Sequence, residues 1–133
     1  MKTALILVLL LSSQIYAKSF TEFAAKVNYE TNYEVALKKA KEQKKDIMFL
    51  VVANFCPWCQ KLEKVVLSKD KINKQIHKKY IPLILNRERG DFPKQFDAPI
   101  IPTVHFIDYK TGKAHKKVIG YNNKDILIYE INK

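Results

Sequence analysis

Cys56 and Cys59 are the only cysteines of the 133-residue chain, and they stand two residues apart in Cys56-Pro57-Trp58-Cys59, directly after the apolar run 47–53. That arrangement puts a dithiol at the exit of a buried strand. As a staple the pair would stabilise little, since closing a loop of about four residues is worth roughly 1.9 kcal/mol in the chain-entropy treatment, against about 3 for fifteen residues. The same spacing suits thiol–disulfide exchange, because the second thiol can reach back and resolve a mixed disulfide formed on the first. The pair therefore reads as a redox site.

The order of the motif assigns the roles. If Cys56 caps a helix and Pro57 is its first residue, the proline forfeits no helical hydrogen bond. The amides of Trp58 and Cys59 then face the Cys56 sulfur and, with the helix dipole, hold its thiolate below the ordinary thiol value of about 8.5. A fall to about 6.5 would raise the thiolate fraction at neutral pH about 25-fold, while a Brønsted slope near 0.45 would lower its nucleophilicity about 8-fold. Attack gains only about threefold. The larger effect is that Cys56 becomes a better leaving group, so the disulfide is easier to reduce. Cys56 is expected to be the nucleophile, and Cys59, one turn further in, the buried thiol that attacks last.

Other donor sets are sparse. Gln60 stands where haem attachment requires histidine, and His77, His105 and His115 lack metal-ligand spacing, which makes them surface or strand residues. No metal site is expected, and no cofactor beyond the redox-active Cys56–Cys59 disulfide.

The first residues indicate a compartment. Lys2 precedes the apolar run 4–11, followed by Ser12, Ser13, Gln14 and then Ile15-Tyr16-Ala17. This has the form of a secretory signal peptide, 1–17, cut after Ala17. The rival is a retained anchor, but the run falls far short of the roughly 20 residues that span a bilayer. No cysteine follows it, so a lipid anchor is not indicated. The domain 18–133 is expected free in the periplasm, where disulfide chemistry is active.

Those 116 residues suit one domain, and the apolar content, 47% over the whole chain, is enough for a core. Net charge is +11, or +10 without Lys2, nearly all from lysine because Arg87 and Arg89 are the only arginines. The lysines are spread over every predicted helix and turn without interleaved aromatics, which argues for solvated faces and against nucleic acid, with room for weak attraction to acidic proteins.

The elements that must position the dithiol alternate. Thr31-Asn32-Tyr33-Glu34 has the form of a capping box, with Tyr33, Leu37 and Ala40 on one helical face up to about Lys44. The run 47–53 is too uniformly apolar for a half-exposed strand, so it is expected at the centre of a sheet. Cys59, Leu62, Val65 and Val66 keep helical spacing, and Ser68 is positioned to cap a second helix carrying Ile72, Ile76 and Tyr80. Strands are expected over 81–85 and 103–107, joined by a polar connection, 86–97, with helical character near 92–96. Asp108 to Gly112 signals a turn, giving an antiparallel hairpin with 116–119. Asn123 is expected to cap a last helix whose Ile126, Leu127 and Ile131 return to the sheet. Helices thus fall on both faces of a mixed sheet.

This order, the dithiol after the central strand, and Ile101-Pro102-Thr103 before the next one resemble the thioredoxin superfamily. The segments Ala36 to Lys41 and Ala53 to Glu63 further resemble the secreted thioredoxin-related proteins akin to the C-terminal domain of the disulfide reductase DsbD, over roughly 27–121 and including Gly120-Tyr121. The resemblance implies an α/β thioredoxin fold in a single domain, with a central mixed sheet flanked by helices on both faces. It implies that Pro102 is cis and that Ile101 and Pro102 meet the substrate strand; sequence alone places Pro102 only before a strand. Glu63 matches an acidic position near the dithiol, which suggests help with proton movement for Cys59, an ordinary surface glutamate being the alternative. Trp58 either presents a flat face to partners or lies on neighbouring loops. Superfamily members usually bury an acid six residues before the first cysteine, and here that residue is Leu50.

The function expected is a periplasmic thiol–disulfide oxidoreductase, monomeric, with Pro57, Trp58 and Glu63 supporting the two cysteines. It would reduce protein disulfides with electrons from a membrane donor of the DsbD type. Proline after the first cysteine also occurs in oxidising catalysts, which keeps an oxidant open, and a binding module that captures a soft metal such as Cu(I) is the alternative from another class.

Overall fold

Residues 20–133 are described by the structure, a computed structural model; the segment 1–17, expected to be a signal peptide, lies outside the described residues. Residues 20–27 form helix α1, whose Phe20, Ala24 and Val27 are buried. Helix α2 spans Tyr33–Gln43, and its cap is Asn32, whose side chain accepts the Val35 N–H at 3.0 Å. The expected Thr31 box does not form: with Asn32 as cap, Glu34 falls at the second helical position, one short of the place from which it could reach back. The helix stops at Lys44, which adopts a left-handed conformation, φ 53°.

Strand β1, Asp46–Val52, pairs in parallel with β2, Tyr80–Asn86, and antiparallel with β3, Thr103–Ile107, which in turn pairs antiparallel with β4, Ala114–Ile119. The sheet order is β2-β1-β3-β4, so β1 lies inside. Its apolar run is continuous because both faces are covered. Met48, Leu50 and Val52 point into one core with α1 and with helices α3 (Pro57–Leu62), α4 (Asp70–Lys79) and α5 (Lys124–Asn132). Ile47, Phe49 and Val51 point into the other, against α2. Glu30 extends the β2 edge by one parallel bridge to Leu83.

Three local expectations need correction. A single π-helical turn, Glu63–Leu67, follows α3, with the Ser68 N–H donating to the Glu63 carbonyl at 2.8 Å. The extra residue in that turn rotates Val65 outward, 42% exposed, and brings Val66 and Leu67 inward. Ser68 does not cap α4; its hydroxyl donates back to the Lys64 carbonyl at 2.8 Å, and the capping position falls on Lys69. Asn123 occupies the N-cap position of α5 as expected, but its side chain makes no cap bond and donates instead to the Ile119 carbonyl at 2.6 Å, while Ile126 stays exposed and Leu127 and Ile131 are buried. In the hairpin, the Asp108 carboxylate accepts the Lys110 and Thr111 amides at 2.9 and 2.7 Å, which keeps its proton affinity below the ordinary range. No helix among the described residues is long and apolar enough to cross a membrane.

Candidate functional site

The chain leaves β1 through Asn54 and Phe55, and Phe55 takes a left-handed conformation, φ 53°. This turns it sharply into α3. Asn54 is held from the neighbouring strand: its side-chain carbonyl accepts the Asn86 amide at 2.8 Å, and its N–H donates to the Glu88 carboxylate at 3.0 Å. Asn86 also accepts the Glu88 N–H at 3.0 Å. These positioning residues were missed by sequence reasoning, and the signal for them is register, since Asn86 lies opposite Val52 at the exit of β1.

Cys56 is the N-cap of α3 and Pro57 its first residue. Of the two amides expected at the sulfur, the Cys59 N–H makes the bond, at 3.2 Å, and the Trp58 N–H does not. Cys56 and Cys59 are joined in a disulfide with their Cα atoms 5.3 Å apart. Cys59 is 2% exposed, whereas Cys56 is only half-buried. A reagent therefore meets Cys56 first. The disulfide shares a small cleft with Phe20, Val52, Glu63 and Asn86. Burial there pushes the Glu63 carboxyl from its ordinary 4.5 up to about 7. Leu50, where the superfamily's acid would stand, is fully buried in the same core.

On the other side of the helix the Ile101–Pro102 bond is cis, the Pro102 carbonyl accepts the Gly120 N–H at 2.7 Å, and the Thr103 hydroxyl donates to the Ile100 carbonyl at 2.7 Å. Ile101 lines one groove with Trp58 and Tyr121. The Trp58 ring stacks on Tyr121 at 5.4 Å and 27° and remains 53% exposed.

The histidines are not brought to the dithiol. His77 is half-buried on α4 and neither a surface nor a strand residue; its Nε2 donates to the Val27 carbonyl at 2.8 Å. His105 lies buried in β3 and donates to the Phe96 carbonyl at 2.9 Å, and burial lowers its proton affinity. His115, on β4, is 3.0 Å from the Asp46 carboxylate. Among the described residues no cluster of three or more His, Cys, Asp or Glu side chains is arranged to hold a metal.

An inner strand that delivers a Cys-X-X-Cys disulfide to a helix N-terminus, faced by a cis-proline loop, defines a thioredoxin fold. The sequence profile of the family described as Thioredoxin-like domain matches residues 33–133, and the chain belongs to that family. It is a thioredoxin-like thiol–disulfide oxidoreductase. Anterior gradient protein 3 of Xenopus tropicalis is 28% identical over 116 residues, covering 80% of this chain and 71% of that protein. A thioredoxin from Thermus thermophilus shares the fold with a TM-score of 0.65 at 19% identity, over 77% of this chain and 82% of that one. The C-terminal domain of Neisseria meningitidis DsbD, in its oxidised form, does so with a TM-score of 0.54 at 17% identity, over 77% and 98% of the two chains.

Proposed function

We propose that the protein works in the periplasm as a reductant of protein disulfides, with Cys56 as nucleophile, Cys59 as resolving thiol and Glu63 as the group that takes the Cys59 proton. One observation carries the assignment of roles: the accessible sulfur is the one that receives a helix N-terminal amide, and the buried one shares its cleft with a carboxyl whose proton affinity lies near neutrality. In the reduced protein, the Cys56 thiolate attacks a client disulfide, forming a mixed disulfide and releasing one client thiolate. Glu63 then accepts the Cys59 proton, and the Cys59 sulfur attacks Cys56 Sγ. The second client thiolate leaves with a proton, and two electrons have passed to the client. In this reading the backbone around Ile101 and Pro102 aligns the client strand, which is supported by Ile101 lining one groove with Trp58. A membrane donor of the DsbD type would restore the dithiol, and the protein would act as a monomer.

The roles are tested by trapping. Cys59→Ser should accumulate mixed disulfides through Cys56 in periplasmic extracts, and Cys56→Ser should trap almost none; equal trapping by both would reverse or abolish the assignment. Direction is tested by the redox potential in glutathione buffers: a value near −270 mV places the pair with reductants, whereas one near −120 mV would make it an oxidant.

A further inference from the structure

We infer that the groove beside the dithiol selects client segments that carry carboxylates next to the reacting cysteine, an inference that rests on the oxidoreductase reading above. The groove, about 440 Å³, runs from Trp58 and Tyr121 past Ile100, Ile101 and Ile119. Ile100 and Ile119 are 56% and 36% exposed, which gives an extended chain an apolar floor. The wall is the Trp58–Tyr121 stack, and two ammonium groups crowd it. Lys61 Nζ lies 5.2 Å from both ring centroids, and Lys124 Nζ lies 5.4 Å from that of Tyr121. Neither lysine has a carboxylate partner among the described residues, although Asp125 follows Lys124 in sequence. Beyond Ile100 and Ile119 the surface continues to Asp97 and Lys117, whose charges offset one another. Within the groove, the positive charge without a carboxylate partner therefore sits at the aromatic wall.

Two ammonium groups held on ring faces keep their hydrogen-bond donors directed outward, and an aromatic surface beneath them lowers the local dielectric. A carboxylate of a docked segment would meet both. The occupant that satisfies floor and wall together is an extended protein segment with an apolar residue for the isoleucines and one or two acidic residues on the Tyr121 side of its cysteine. A basic segment would meet repulsion at the same place.

The experiment uses the reduced full chain and synthetic peptides carrying one cysteine as a mixed disulfide with a chromophoric thiol. The cysteine is flanked by a leucine and by Asp-Asp, Ser-Ser or Lys-Lys, placed on either side. Attack by Cys56 on the peptide sulfur releases the chromophoric thiolate, and stopped-flow absorbance gives the rate constant. With two rim charge pairs, the Asp-Asp peptide should react about fivefold faster than Ser-Ser in one of the two placements. The advantage should fade at about 0.5 M salt, where screening becomes short-ranged. Lys61→Gln/Lys124→Gln should bring the ratio below about twofold. Lys38→Gln/Lys41→Gln, an equal loss of charge on α2, should leave rates and ratio unchanged. A wild-type ratio of one while Ser-Ser is still reduced overturns the selectivity alone, and so does an equal fall in both double variants, which would assign it to net charge. Rate constants that drop as protein concentration rises would put a second copy in the groove and overturn it as well. Failure to reduce any peptide would remove the oxidoreductase reading and the selectivity together.

Discussion

Glu63 holds its proton because its cleft is poorly hydrated, and that same property has a cost in stability that can be measured without any client. Its carboxyl titrates at about 7 in the folded protein against an ordinary 4.5. A group raised in this way favours the fold fully below the unfolded value, and the contribution is lost as pH climbs through the folded one. In the oxidised protein, where neither cysteine titrates, stability relative to Glu63→Gln should therefore fall by up to about 3 kcal/mol between about pH 4.5 and 7. His105, lowered by burial, acts in the opposite sense as pH drops, but it is common to both proteins and cancels in the difference. Urea midpoints across that range decide it, and parallel pH profiles for the two proteins would return Glu63 to an ordinary surface role. The cysteine pair was legible from the sequence because its chemistry depends only on local spacing. Glu63 was visible only through resemblance, since its raised proton affinity comes from Phe20, Val52 and Asn86, which are distant in sequence and close in the cleft. The Asn54–Asn86–Glu88 bonds were not legible at all, because they require the β1–β2 register.

At the scale of elements, strand β1 and the order of helices follow directly from patterning, whereas the departures arise where one turn changes pitch. An α-helical period puts Val65 and Val66 on the inner face; the π turn inserts one residue and moves those places to Val66 and Leu67. Composition carries no sign of this, because both sets of positions are aliphatic. The two geometries differ in a measurable way. Leu67→Ala, at a fully buried site, should destabilise by about 2–5 kcal/mol. Val65→Ala, at an exposed one, should stay within about 0.5 kcal/mol. Chemical denaturation of the two variants distinguishes them, and a larger loss at Val65 would restore the regular helix. The side-chain cap bonds depart from expectation for local reasons. Thr31, Ser68 and Asn123 all have suitable side chains, but Asn32 supplies the cap for α2, and Ser68 and Asn123 donate to carbonyls behind them.

Taken as a whole, the molecule is divided by β1 into two cores with different duties. Met48, Leu50 and Val52 support α3 and thus the dithiol, while Ile47, Phe49 and Val51 face α2 and the aromatic cluster. Phe49 is at the centre of that cluster, with ring centroids of Phe92 at 5.2 Å, Phe96 at 5.9 Å, His105 at 6.0 Å and Tyr33 at 6.4 Å. Its truncation to alanine should cost about 3–5 kcal/mol, a large share of the roughly 5–15 kcal/mol available to a domain of this size. None of those four rings lines the cleft of the disulfide or the groove beside Trp58, and Ile101 is the groove residue that packs against their core. The Phe49→Ala protein that remains folded, at low temperature and without denaturant, should therefore keep the wild-type redox potential and peptide-reduction rate while its urea midpoint falls. Val52→Ala reverses the weighting, because Val52 lines the cleft with Cys56, Cys59 and Glu63. Its stability loss should be smaller, and the pH dependence of resolution should move as water reaches the Glu63 carboxyl and lowers its proton affinity. If Phe49→Ala shifted the redox potential as far as Val52→Ala does, the two faces of β1 would be coupled and this division of the fold would be wrong.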